Sequence, residues 1–143
     1  MHVLVPLDGS QQSWAAFDHA LSTAEGAITA LHVVNPADGV YSDYDGGGYY
    51  DPETHQRTRE RGDELLAQAR TRAEEARASE AIVLESAIET GPPARTIVEY
   101  ARDNDVGRIV MGSHGRSGVA RILLGSVAEA VARRAPVPVT IVR

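Results

Sequence analysis

The feature that most constrains this chain is a set of short apolar runs, rich in β-branched residues, that alternate with stretches of helical periodicity. Val3-Leu4-Val5 is apolar at every position. A run of that kind reads as a strand buried on both faces, as in a parallel sheet. Similar runs follow at 27–34, 81–88, 106–111 and 136–142. The third is more polar than the others, which suits a sheet edge. Between the runs, Trp14, Phe17, Ala20 and Leu21 recur at helical spacing and predict a helix over 11–25, stopped by Gly26, with Trp14 and Phe17 in the core. Leu65, Leu66, Ala69, Ala73 and Ala76 form a thin apolar stripe in a highly charged segment, 52–79, that reads as a long helix. Ala94, Ile97, Val98 and Ala101 predict a third helix after the Gly91-Pro92-Pro93 turn, and 127–134 a fourth. The resulting β-α-β-α-β-α-β-α-β order implies an α/β fold: a parallel five-stranded sheet with helices on both faces, connected by right-handed crossovers. Residues 35–51, which mix Gly46-Gly47-Gly48 with Tyr41, Tyr44, Tyr49 and Tyr50, read as one long loop after a strand.

A length of 143 residues fits a single domain over 1–143 with room for a hydrophobic core. The formal charge of -6 argues against a general nucleic-acid binder. There is no cysteine, so no disulfide framework and no thiolate chemistry. All 14 basic residues are arginine, which removes every mechanism built on a lysine amine. The first residues already contain a strand and a turn rather than a leader, and no apolar run approaches the ~18 residues of a membrane span. The expectation is a cytoplasmic protein.

Parallel sheets bind ligands outside the carboxyl ends of their strands, where strand order reverses. Two stretches are candidates to meet there. Met111-Gly112-Ser113-His114-Gly115 ends the 106–111 run, and Gly125-Ser126 precedes the last helix. Such glycines serve either a plain turn or a phosphate cradle, in which loop N–H groups and the free N–H groups at the Val127 helix start face an anion. The pattern is not a Walker loop, which requires a lysine. Phosphate charge would be met by backbone dipoles, by Arg116 or Arg121, by a metal or by solvent. Ser126-x-x-Glu129 also fits a capping box, which explains the serine without any ligand. Asp8, before Gly9-Ser10, is either a turn or N-cap aspartate or an acceptor for a nucleoside hydroxyl or base amine. His114 reads as a loop side chain without catalytic duty. No histidine pairing such as HExxH is present, and no metal site is expected. The tyrosines at 41–50 could stack on a base or lie on an ordinary surface loop.

Gly112-x-x-Gly115, nine residues, then Gly125-Ser126, together with Val3-Leu4-Val5-Pro6-Leu7-Asp8-Gly9-Ser10, Leu31-His32-Val33-Val34, Gly91-Pro92 and Ile109-Val110-Met111-Gly112-Ser113-His114-Gly115-Arg116, resembles the universal stress protein family over nearly the whole chain. The resemblance implies a Rossmann-like, adenine nucleotide alpha hydrolase-like open sheet of order 3-2-1-4-5 and membership of the ATP-binding subclass. It implies that Asp8 contacts the adenosine moiety and that Pro6, Val33 and Met111 line the adenine or ribose pocket. Gly112, Gly115, Arg116, Gly125, Ser126 and Val127 would hold ribose and phosphates, with Mg or Mn accompanying the ATP. It further implies a homodimer paired through Val137–Val142, which fits the need to cover an apolar terminal strand, and a role in stress signalling with slow or absent ATP turnover.

Three other functions compete with an ATP-binding sensor. A phosphoryl-transfer enzyme would want a base beside the phosphate loop, and none is evident. A phospho-receiver would want an aspartate after the third strand and a late lysine, and the chain has neither. A nucleotide-independent dimeric scaffold, acting on an unidentified protein partner, differs from the sensor only in ligand binding.

Overall fold

The computed structural model describes residues 1–36, 40–42, 48–50, 52–76, 82–114 and 124–143. In chain order the elements are β1 (Val3–Pro6), α1 (Gln11–Thr23), β2 (Gly26–Val34), β3 (Val40–Ser42), β4 (Gly48–Tyr50), α2 (Pro52–Glu75), β5 (Ile82–Thr90), α3 (Pro93–Asp103), β6 (Arg108–Gly112), α4 (Ser126–Arg134) and β7 (Val139–Val142). Five strands form one sheet in the order β5-β2-β1-β6-β7, and every pairing in it is parallel. Counting only these five in chain order, this is the 3-2-1-4-5 arrangement. The chain runs outward from β1 through β2 to β5, then crosses to β6 on the other side of β1. The point of reversal is therefore the crevice between the carboxyl ends of β1 and β6.

The continuous apolar runs are explained by two cores, one on each face. Successive side chains of a strand point to opposite faces. Val3, Val5 and Leu7 pack with Phe17, Ala16, Ala20 and Ala69 of α1 and α2. Leu4 packs with Leu31, Ile97, Val98, Ala101 and Val131 on the face covered by α3 and α4. On a strand buried on both sides every position meets an apolar core, so polar residues there are few. β5 has only one neighbour in the sheet, and its composition shows it: Glu85 and Glu89 are exposed, as is Val83 at 64%. Charged residues on such an edge discourage pairing with another chain.

Several sequence-based expectations change. The segment 35–51 is not simply a loop. Val40–Ser42 and Gly48–Tyr50 pair antiparallel as β3 and β4, in the register Val40↔Tyr50. Valine and tyrosine favour strands, and the loop reading gave the glycines more weight than these residues. The first helix ends at Thr23 with Ala24 as its C-cap, and Gly26, at φ 107°, opens β2 instead of stopping the helix. The charged helix is described to Glu75, and 77–81 lie outside the described residues. The last strand begins at Val139. Phe17 is fully buried, but Trp14 is only partly so: it lies edge-on to Phe17 with ring centroids 6.0 Å apart. The Arg72 guanidinium covers it, 4.5 Å from the ring centroid, while Nη1 reaches both oxygens of Asp18 at 3.2 and 3.0 Å. Trp14 is thus the rim of the core, roofed by the cation of an arginine.

Candidate functional site

The turn after β1 is built from three consecutive residues. The Ser10 N–H donates to Asp8 Oδ1 at 2.9 Å, an Asx turn that needs the chain to reverse at Gly9, where φ is 88°. Ser10 is then the N-cap of α1: its Oγ accepts from the Ser13 N–H at 3.1 Å, and Ser13 Oγ donates back to the Ser10 carbonyl at 2.9 Å. Asp8 is therefore a turn residue and not the cap itself. One carboxylate oxygen shapes the turn, and the half-buried group still faces the carboxyl edge of the sheet.

Strand register brings the distant candidates level with it. Pro6 pairs with Leu31, and Leu4 with Ile109. Continued along the strands, these registers set Asp8 beside Val33 on one side and Ser113 on the other. β6 is extended past Gly112 by the Ser113 N–H, which donates to the Val142 carbonyl at 2.8 Å. The Ser113 carbonyl in turn accepts from the Gly125 N–H at 2.7 Å. The start of α4 is thereby fastened to the end of β6, across the crevice from Asp8.

Gly125 is the N-cap of α4, with φ -62° and ψ 158°. The first bond of the helical ladder is the Glu129 N–H to the Gly125 carbonyl at 2.9 Å, so the N–H groups of Ser126, Val127 and Ala128 precede it. Free amides and the helix dipole make this end anion-attracting. The capping-box expectation for Ser126 is corrected. Ser126 is the first helical residue rather than the cap, no side chain caps the helix, and Glu129 turns instead to Arg133, 2.7 Å away. The reason is the position of Gly125: its extended backbone takes the cap one residue earlier. Ser126 is exposed, and its hydroxyl has no partner among the described residues.

Gly112 has a structural explanation. A Cβ there would lie 2.7 Å from Gln12 Cβ and 2.8 Å from the Gln12 carbonyl carbon. The first turn of α1 crosses the end of β6 at backbone distance, so the glycine is required by the chain's own packing. Met111 is 5% exposed and packs in the α3–α4 core, and Val33 and Val127 pack against the same core while half-buried, like Pro6. Gly115, Arg116 and Arg121 lie outside the described residues.

His114 lies in the turn after β6 and is buried. It is 8% exposed, its Nδ1 lies 3.1 Å from Ser113 Oγ, and its buried Nε2 has no hydrogen-bond partner among the described residues. Sequence reasoning also passed over His32, which is 7% exposed and donates from Nδ1 to the Leu7 carbonyl at 2.8 Å, next to Asp8. Its place in an otherwise apolar run, Leu31-His32-Val33-Val34, is the signal that could have found it. Among the described residues, no group of three or more His, Asp or Glu side chains converges as a metal cage, and no helix is long and apolar enough to cross a membrane.

The sequence profile described as the Universal stress protein family matches residues 1–143. Universal stress protein MJ0531 of Methanocaldococcus jannaschii is 34% identical over 144 residues, a span that covers 99% of this chain and 81% of the relative. Universal stress protein UspA from Lactobacillus plantarum superposes with a TM-score of 0.75 at 28% identity, covering 100% of this chain and 97% of that one. A universal stress protein solved in complex with cAMP superposes with a TM-score of 0.67 at 29% identity, covering the same shares of the two chains. With the profile matched from end to end and this sheet order, the chain belongs to the universal stress protein family.

Proposed function

We propose that this protein is an ATP-binding regulator or sensor of the stress response, with at most slow hydrolysis. The observation that carries the reading is the juxtaposition across the β1–β6 crevice. A carboxylate fixed by one oxygen in a turn stands on one side, and a helix N-terminus anchored by the Ser113–Gly125 bond stands on the other. That pairing suits a nucleotide: a sugar hydroxyl or base amine donates to Asp8, and phosphate oxygens accept from the N–H groups of Ser126 and Val127. The Ser126 hydroxyl, without a partner among the described residues, would donate to the same phosphates. Pro6, Val33 and the edge of Met111 would line the nucleoside end. Gly115 and Arg116 would complete the phosphate end. The relative solved with cAMP supports an adenine nucleotide as the ligand class.

Mg or Mn would arrive with the triphosphate, because Mg keeps most of its shell from water and phosphates rather than from a protein cage. With no lysine in the chain, turnover is expected far below the ~1–100 s⁻¹ of dedicated kinases. We further propose a homodimer through β7 and the preceding residues from Val137. β7 has a sheet neighbour, β6, on one side only.

Isothermal titration of the purified protein with ATP and Mg²⁺ tests the reading, with AMP and cAMP as comparison ligands. Saturable ATP binding is expected. A folded, nucleotide-free sample that takes up none of the three overturns it and leaves the dimeric scaffold as the better account. ADP release at kinase-like rates would instead favour a phosphotransfer enzyme.

A further inference from the structure

Gly62 lies inside α2, a helix of 24 residues, where glycine is destabilising relative to alanine. The cost is explained by what lies beneath it. A Cβ on Gly62 would sit 2.6 Å from Cδ2 of His32 and 3.3 Å from its Nε2. The helix backbone therefore rests directly on the imidazole. One turn further along α2, Leu65 Cδ2 lies 3.3 Å from where a Cβ of Gly9 would be. α2 thus presses on both the His32 ring and the turn that carries Asp8.

The ring is held from below as well. The β1–β2 register ends at Pro6↔Leu31, with the Leu7 N–H donating to the Leu31 carbonyl at 2.8 Å. Beyond that point the Leu7 carbonyl accepts from a side chain, His32 Nδ1, at 2.8 Å in a buried setting. A carbonyl only accepts, so Nδ1 carries the proton. This bond fixes the plane of the Leu7–Asp8 peptide. The next bond along the chain, Ser10 N–H to Asp8 Oδ1, then fixes the carboxylate.

We propose that His32 is a positioning residue for the nucleotide site, locked under Gly62 of α2 and aiming Asp8 through the Leu7 carbonyl. The proposal rests on the reading of Asp8 as a ligand contact. It assigns α2 a part in the site although no residue of α2 is expected to touch the ligand. Movement of α2 relative to the sheet would loosen the Asp8 turn.

The test compares full-length wild type with His32→Asn, His32→Gln and His32→Leu. Asparagine places an amide donor where Nδ1 lies, glutamine places it where Nε2 lies, and leucine has none. Two quantities are read beside the thermal midpoint: exchange of the Ser10 amide by NMR, and ATP affinity by titration with Mg²⁺. In His32→Gln and His32→Leu the Ser10 amide is expected to exchange about tenfold faster, and ATP to bind about tenfold more weakly, than in His32→Asn. Should His32→Leu fail to fold, the Asn and Gln pair, similar in size and polarity, carries the comparison. Equal Ser10 protection in Asn and Gln overturns the proposal and makes His32 a packing residue. If wild type binds no ATP, the nucleotide reading fails, while the Ser10 comparison still decides whether His32 sets the turn.

Discussion

The backbone N–H of Gly125 donates to the carbonyl of Ser113 at 2.7 Å, joining the two ends of the candidate phosphate loop. The start of α4 is therefore fastened directly to the end of β6. Gly125 has φ -62°, which proline also adopts. Gly125→Pro should keep the local backbone and delete only the donor. Ser113 is buried, so its carbonyl would lose a partner away from water. The expected loss is about 1–3 kcal/mol of unfolding free energy in urea, against a change of a few tenths for Gly125→Ser, which can still cap the helix. Equal midpoints for the two variants would mean that the bond contributes nothing.

Ser126→Ala separates the two roles that the sequence left open for this serine. As the first helical residue, with an exposed hydroxyl that has no partner among the described residues, it should tolerate alanine with a stability change within about 0.5 kcal/mol. A true N-cap serine would lose about 0.5–2 kcal/mol. ATP affinity is expected to fall severalfold all the same, because the hydroxyl is free to donate to phosphate. Unchanged affinity in titration would remove Ser126 from the site.

How far the sequence could be read follows from which interactions are local. The parallel sheet and its two-faced core were legible because burial on both sides leaves Val3, Leu4 and Val5 apolar without interruption, whereas the strand order came only with the family resemblance. The edge position of β5 was legible from Glu85 and Glu89. The glycine spacing located α4's start, but not which residue caps it: Gly125 and Ser126 are both good caps, and the choice depends on the Ser113 bond. The reason for Gly112 lies in Gln12, and that for Gly62 in His32, contacts that no local pattern encodes. Gly115 and Arg116 of the candidate site lie outside the described residues, so their part stays with the proposal.

Gly112→Ala should destabilise the fold whether or not ligand is present. The added methyl would meet Gln12 at 2.7 Å, and the nearby carbonyl carbon and oxygen at 2.8 and 2.9 Å are backbone and cannot rotate away. Overpacking of this kind costs about 1–3 kcal/mol. Urea unfolding of the ligand-free protein measures it. Loss of ATP binding in this variant would therefore not identify Gly112 as a phosphate contact, and Gly125→Ser is the better probe. A wild-type midpoint for Gly112→Ala would show that α1 shifts at little cost.

Tyr100 gives the fold a defined alkaline weakness at the end of the sheet away from the crevice. Burial disfavours the phenolate and raises its pKa from the ordinary 10.0; a hydrogen bond with Thr29 opposes the rise, and the nearby carboxylates Glu85 and Glu89 add to it. Thr29 is itself fully buried, and its Oγ1 lies 2.7 Å from His2 Nε2. The sign of the linkage follows from the raised value. Between the unfolded pKa near 10.0 and the higher folded one, the folded state holds the proton and the unfolded state releases it. Stability contributed by the neutral phenol is thus fully present below the unfolded pKa and is lost as pH rises through the folded one. Thermal midpoints measured from neutral pH into this alkaline window should fall for wild type, and fall less steeply for Tyr100→Phe, which has no proton to lose. Parallel curves for the two proteins would show that the half-buried Tyr100 phenol titrates alike in the folded and unfolded chains.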